Sequence, residues 1–167
     1  MVNLRQAFRH AQTEPASRVR RLLVYVTGTA ADKRLLEVVE KIAERPTTEV
    51  TIAYVVEVQQ SMPLDAELPA EIEHGEHVLH EAEEFTARCV TKRAMLHTEL
   101  LQARSAGAAI VDEAVESNAT AIIMACSLNK KMGRVTIGDT VDYVLRNAPC
   151  EVIVVRQRMP GWDPDGM

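Results

Sequence analysis

Aromatic residues are scarce in this chain of 167 residues: two Phe, three Tyr and one Trp, or 4% of the whole. The core must therefore be aliphatic, built from Val, Ile, Leu, Ala and Met. No apolar run approaches the ~20 residues that a bilayer span requires. A surplus of positive charge is also missing. With a net charge of -5 and a pI near 5.6 the chain offers no broad attraction to nucleic acid or to an anionic membrane, and neither is expected as a partner. Cysteine is limited to Cys89, Cys126 and Cys150, an odd number at unequal spacing that fits neither a disulfide framework nor a zinc site. Cys126 alone has two readings, a structural thiol or one made reactive by nearby Lys130, Lys131 and Arg134. The N-terminus lacks the apolar stretch and cleavage site of a secretory signal, so the expected location is the cytoplasm.

What is present is enough for one domain: 47% hydrophobic and 26% charged residues, with neither repeats nor low-complexity tracts. Residues 1–17 read as an N-terminal extension, 18–157 as the domain and 158–167 as a tail that carries Trp162. Arg21–Val26, Glu49–Val58, Leu96–Leu101, Ala121–Ala125 and Glu151–Val155 have the length and apolar content of strands. Ala30–Glu44, Ala70–Arg93, a segment begun by Ser105, and Asp139–Asn147 repeat apolar residues at helical spacing. Strands that are nearly continuous in apolar residues and alternate with helices call for an α/β fold, a parallel sheet covered on both faces.

Within that frame Ala121–Val155 carries the most information. A strand leads into a polar loop with Asn129, Lys130, Lys131 and Arg134, then to a helix begun at Gly138, then to a last strand. A strand, loop and helix N-terminus in this order can aim backbone N–H groups at a phosphate. Close approach favours glycine, and of the loop before the helix only Gly133 supplies one. The basic residues read either as a solvated loop or as side-chain contacts to an anion. Polar Thr27, Thr29, Ser127 and Asn129 should gather at the C-terminal edge of the sheet, where open α/β folds bind ligands.

The run from Gly138 to Arg156, with Ala148-Pro149-Cys150 before the last strand, closely resembles universal stress protein domains, and the resemblance extends over Arg21–Arg156. It implies an adenine nucleotide alpha hydrolase-like, Rossmann-like sheet of five parallel strands in the order 3-2-1-4-5. It also implies a homodimer closed through the last strand by Val152, Ile153, Val154 and Val155. The family's ATP-binding pattern, G-x-x-G-x9-G-[ST], falls on Ala125, Leu128, Gly138 and Asp139, with Thr140 next, so one glycine of three is retained. Thr27, before Gly28, stands where nucleotide-binding members usually have Asp. Leu128 is expected to obstruct the phosphates, and Asp139 to cap the helix and repel them.

Two functional readings follow. One is a non-catalytic regulatory or stress-response protein without stable ATP binding and with no cofactor, acting through dimerisation and an unidentified protein partner. The other is a sensor of an adenine nucleotide, ATP or AMP, or of another anion. A slow nucleotide hydrolase is a third, weaker reading. His74, His77 and His80 with Glu73, Glu76 and Glu81 read as surface pairs, Glu73 with His77 and Glu76 with His80, in preference to a metal site. No Ser-His-Asp or Cys-His set carries a local signature, so no catalytic residue is assigned.

Overall fold

The computed structural model describes residues 19–43, 47–89, 94–131 and 134–156; the expected extension, the tail with Trp162, and Gly133 lie outside them. In chain order the elements are β1 (Arg20–Tyr25), α1 (Ala31–Ile42), β2 (Thr48–Glu57), α2 (Pro69–Cys89) and β3 (Met95–Ala103). They continue with α3 (Ala106–Glu116), β4 (Ala121–Cys126), β5 (Asn129–Lys131), β6 (Arg134–Thr136), α4 (Asp139–Asn147) and β7 (Glu151–Arg156). Five strands form one parallel sheet in the order β3-β2-β1-β4-β7. Counting only the strands of that sheet, this is the expected 3-2-1-4-5.

Alternation along the central strands divides the core into two layers. Leu22, Val24, Val26, Val50, Ile52 and Ile123 lie with Leu35, Leu36 and Val39 of α1 and Val78, Leu79 and Ala82 of α2. Leu23, Ala53, Val55, Ile122 and Met124 face the other way, onto Ile110 and Ala114 of α3 and Val141 and Val144 of α4. Both faces are covered, which explains why the central strands contain so little polar sequence. Small residues set the helices close. A side-chain carbon on Gly75 of α2 would lie 2.6 Å from Leu100 Cδ1, and one on Gly107 of α3 would lie 3.0 Å from Tyr143.

Strand β3 runs longer than its apolar core, Leu96–Leu101, suggests, because its nine residues pair with Glu49–Glu57 of β2 throughout. Ser105 takes the N-cap position of α3, yet its side chain makes no cap bond. The first amide, of Ala106, donates instead to Glu57 Oε1 at 2.7 Å, so a carboxylate from the end of β2 fixes the helix start. The chain order reverses direction between β1 and β4, and the crevice beyond the C-terminal ends of these two strands is where such sheets bind ligands.

Candidate ligand site at the switch point

Two turns border that crevice. The first, Thr27-Gly28-Thr29 between β1 and α1, bends through Gly28 at φ +73°, where a side chain is strained and would also come within 2.9 Å of Val78 Cγ2. Its three amides converge on one group, the carboxylate of Asp32. Thr27 N–H donates to Asp32 Oδ2 at 3.0 Å, Gly28 N–H at 2.7 Å and Thr29 N–H at 3.2 Å; the Thr27 hydroxyl donates to Oδ1 at 3.3 Å. Asp32 is buried. Burial raises its pKa above the ordinary carboxylate value, while the amides of Thr27, Gly28 and Thr29 and the Thr27 hydroxyl pull against the rise. Consecutive amides gathered in this way form an anion nest, and here the anion belongs to the chain itself.

The second turn, between β4 and α4, departs from the expected loop. Asn129–Lys131 and Arg134–Thr136 pair as a short antiparallel hairpin with Asn129 opposite Thr136, Lys130 opposite Val135 and Lys131 opposite Arg134. Of the expected ligand residues, Ala125 packs half-buried against the α1 and α2 layer, and Leu128 stands 42% exposed just past β4. Gly138 is the N-cap of α4 at φ 88° and ψ 151°, a conformation essentially confined to glycine, and nothing lies within 4 Å of the place a Cβ would take. Its retention follows from backbone geometry.

Asp139 is corrected in one respect: it is the first helical residue and does not cap. No side chain caps α4, and Gly138 O accepts the Asp142 N–H at 3.1 Å. Asp139 and Asp142 still place two carboxylates in the first turn, and Asp142 pairs with Arg146 at 3.0 Å. Thr140 follows, half-buried. Cys126 is buried, and its thiol points to Ile137 O at 3.7 Å, tying the end of β4 to the entry of α4.

A cavity of about 470 Å³ opens beyond the ends of β1 and β2 under the first turns of α2, lined in part by Tyr25, Tyr54, Glu57, Glu71 and His74. Tyr54 and His74 meet edge to face, with centroids 6.0 Å apart. Burial, then Glu57, Tyr54 and Asp32, push Tyr25 up to about 12; burial and then Asp32 raise Tyr54 as well. Sequence reading treated both tyrosines as strand residues, although two of only three Tyr in one chain reaching one cavity is a signal. Asp32 was missed too, and its three-residue spacing from Thr29 was the available clue.

On α2, His77 pairs with Glu81 and His80 with Glu84, each at 3.6 Å, one turn further on rather than one turn back as expected. Among the described residues no three His, Cys, Asp or Glu side chains gather around a metal position, and no helix is long and apolar enough to cross a membrane.

The family model described as the universal stress protein family matches residues 18–156. No curated protein matches the sequence. Among solved structures, the chain is similar to a universal stress protein from Archaeoglobus fulgidus, with TM-score 0.66 and 19% identity over 81% of this chain and 98% of that one. It is also similar to a universal stress protein from Lactobacillus plantarum, with TM-score 0.63 and 24% identity over 84% and 99%. The Archaeoglobus fulgidus universal stress protein in complex with dAMP aligns with TM-score 0.63 and 18% identity over 81% and 97%.

Proposed function

The chain belongs to the universal stress protein family, and from that premise we propose that it is a non-catalytic regulatory or stress-response protein of the cytoplasm, working as a homodimer without stable ATP binding. The observation that carries this reading is the hairpin of β5 and β6. Between the second and third glycine positions of the family's pattern, this chain pairs Asn129–Lys131 with Arg134–Thr136 as a hairpin, whose inward-facing backbone groups are engaged in a ladder. Leu128 before the hairpin and Asp139 and Asp142 after it add bulk and negative charge.

Dimerisation is supported by β7, an edge strand whose Val152, Ile153, Val154 and Val155 remain half-buried within one chain. Light scattering of Ile153→Asp should give monomer or aggregate; an intact dimer would remove this part of the proposal.

The second reading, an adenine-nucleotide or anion sensor using Lys130, Lys131, Arg134 and the Gly138 helix start, is favoured by the similarity to a structure in complex with dAMP. Calorimetry with ATP and AMP, with and without Mg²⁺, separates the two. Absence of heat supports the first, and binding lost on Lys130→Ala and Lys131→Ala supports the second.

A further inference from the structure

The cavity beyond β1 and β2 is built from groups that the proposed function leaves unused. The strand ends give it Tyr25, Tyr54 and Glu57, and the first turns of α2 give it Glu71 and His74. Both tyrosines are half-buried. Tyr54 is held in place, because His74 meets it edge to face with centroids 6.0 Å apart and a Cβ on Gly75 would lie 2.8 Å from Tyr54 Cδ1, which brings α2 directly against the ring. Glu57 is held as well, its Oε1 accepting the Ala106 N–H at 2.7 Å. Glu71 stands exposed in the first turn of α2.

The charge of this wall has one sign. Of the described residues that line the cavity, Glu57 and Glu71 are carboxylates and none is Lys or Arg. Burial and then Glu57 push Tyr25 up to about 12, so its phenol stays neutral and adds a hydroxyl without adding charge. Aromatic rings beside carboxylates suit an organic cation, since the ring quadrupole and the carboxylate charge attract the same ammonium group while the rings cover its apolar frame. A bare metal ion is served less well, because among the described residues no three His, Cys, Asp or Glu side chains gather around one position.

We propose that this cavity binds a small organic cation, an amine whose ammonium group is held by Glu57 and Glu71 and whose apolar part rests against Tyr25 and Tyr54. Its volume of about 470 Å³ falls within the range of small-molecule pockets and accommodates a one-ring amine. The inference goes beyond the proposed function and does not rest on it, since it draws on β1, β2 and α2 and not on the turn between β4 and α4.

The test uses three molecules that share a phenylethyl or benzyl frame and differ in head-group charge: phenethylamine, 2-phenylethanol and phenylacetate. Each is titrated near pH 8, where the amine is charged, with the amides of Tyr54, Glu57 and His74 followed by two-dimensional NMR. The amine should shift these amides saturably, the alcohol should bind at least about tenfold more weakly, and phenylacetate should give no saturable shift. Glu71→Gln, a neutral change at an exposed position, should weaken the amine about fivefold and alter the alcohol by less than about twofold. An alcohol or carboxylate that binds as tightly as the amine overturns the assignment, as does the absence of any amine response up to about 20 mM or a Glu71→Gln protein with unchanged preference. If that variant does not fold, the three head groups on the wild type still decide. The two claims fail separately. Heat from ATP with the amine response intact sinks the proposed lack of ATP binding and leaves the cation site. Neither ATP heat nor an amine response does the reverse.

Discussion

The two turns at the switch point follow neighbouring parallel strands, β1 and β4, yet they withhold backbone from a ligand in different ways. Between β1 and α1 the amides converge as an anion site requires, and the chain fills the site with its own Asp32. Between β4 and α4 the chain pairs β5 with β6, and the helix start that follows carries Asp139 and Asp142 in its first turn. One turn keeps the architecture and supplies the occupant; the other replaces the architecture.

Substitutions can break this contrast. The largest effect is expected for Gly28→Ala, which forces a side chain to φ +73° and to 2.9 Å from Val78 Cγ2; urea denaturation should show a loss of about 3 kcal/mol. A loss below about 1 kcal/mol would mean that the turn relaxes and that the nest is not held rigidly. Next comes the pair of carboxylates. Asp32→Ala removes the acceptor of three amides and should cost about 2 kcal/mol, while Asp139→Ala, at an exposed position that caps nothing, should stay within about 0.5 kcal/mol. Equal losses at the two positions would erase the distinction between a carboxylate that is part of the turn and one that merely sits at a helix start.

Much of the fold was legible because buried strands leave little choice of residue. Arg20–Tyr25, Thr48–Glu57 and Ala121–Cys126 are covered on both faces, so their apolar runs mark them almost to the residue. The hairpin is hard to read from sequence because Asn129–Lys131 and Arg134–Thr136 contain only one apolar residue, Val135, and show no alternation. The cap of α3 escaped for a different reason. Ser105 is the residue type that caps a helix locally, and Glu57, which does so, lies 49 positions away. In the candidate site the missing glycines were legible residue by residue. The role of Asp32 was not, since it depends on α1 folding back so that a carboxylate five residues beyond Thr27 meets that residue's amide. Asp139 shows the converse: a good capping residue was present, and the backbone at Gly138 placed the cap one position earlier.

The most direct test of the central claim is calorimetric titration of the unmodified chain with ATP in the presence of Mg²⁺. The account predicts no saturable heat, because Asp32 holds the amides of the first turn and Leu128, Asp139 and Asp142 set bulk and negative charge at the second. A saturable isotherm with one ATP per chain, accompanied by shifts of the Gly138 and Asp139 amides, would contradict it.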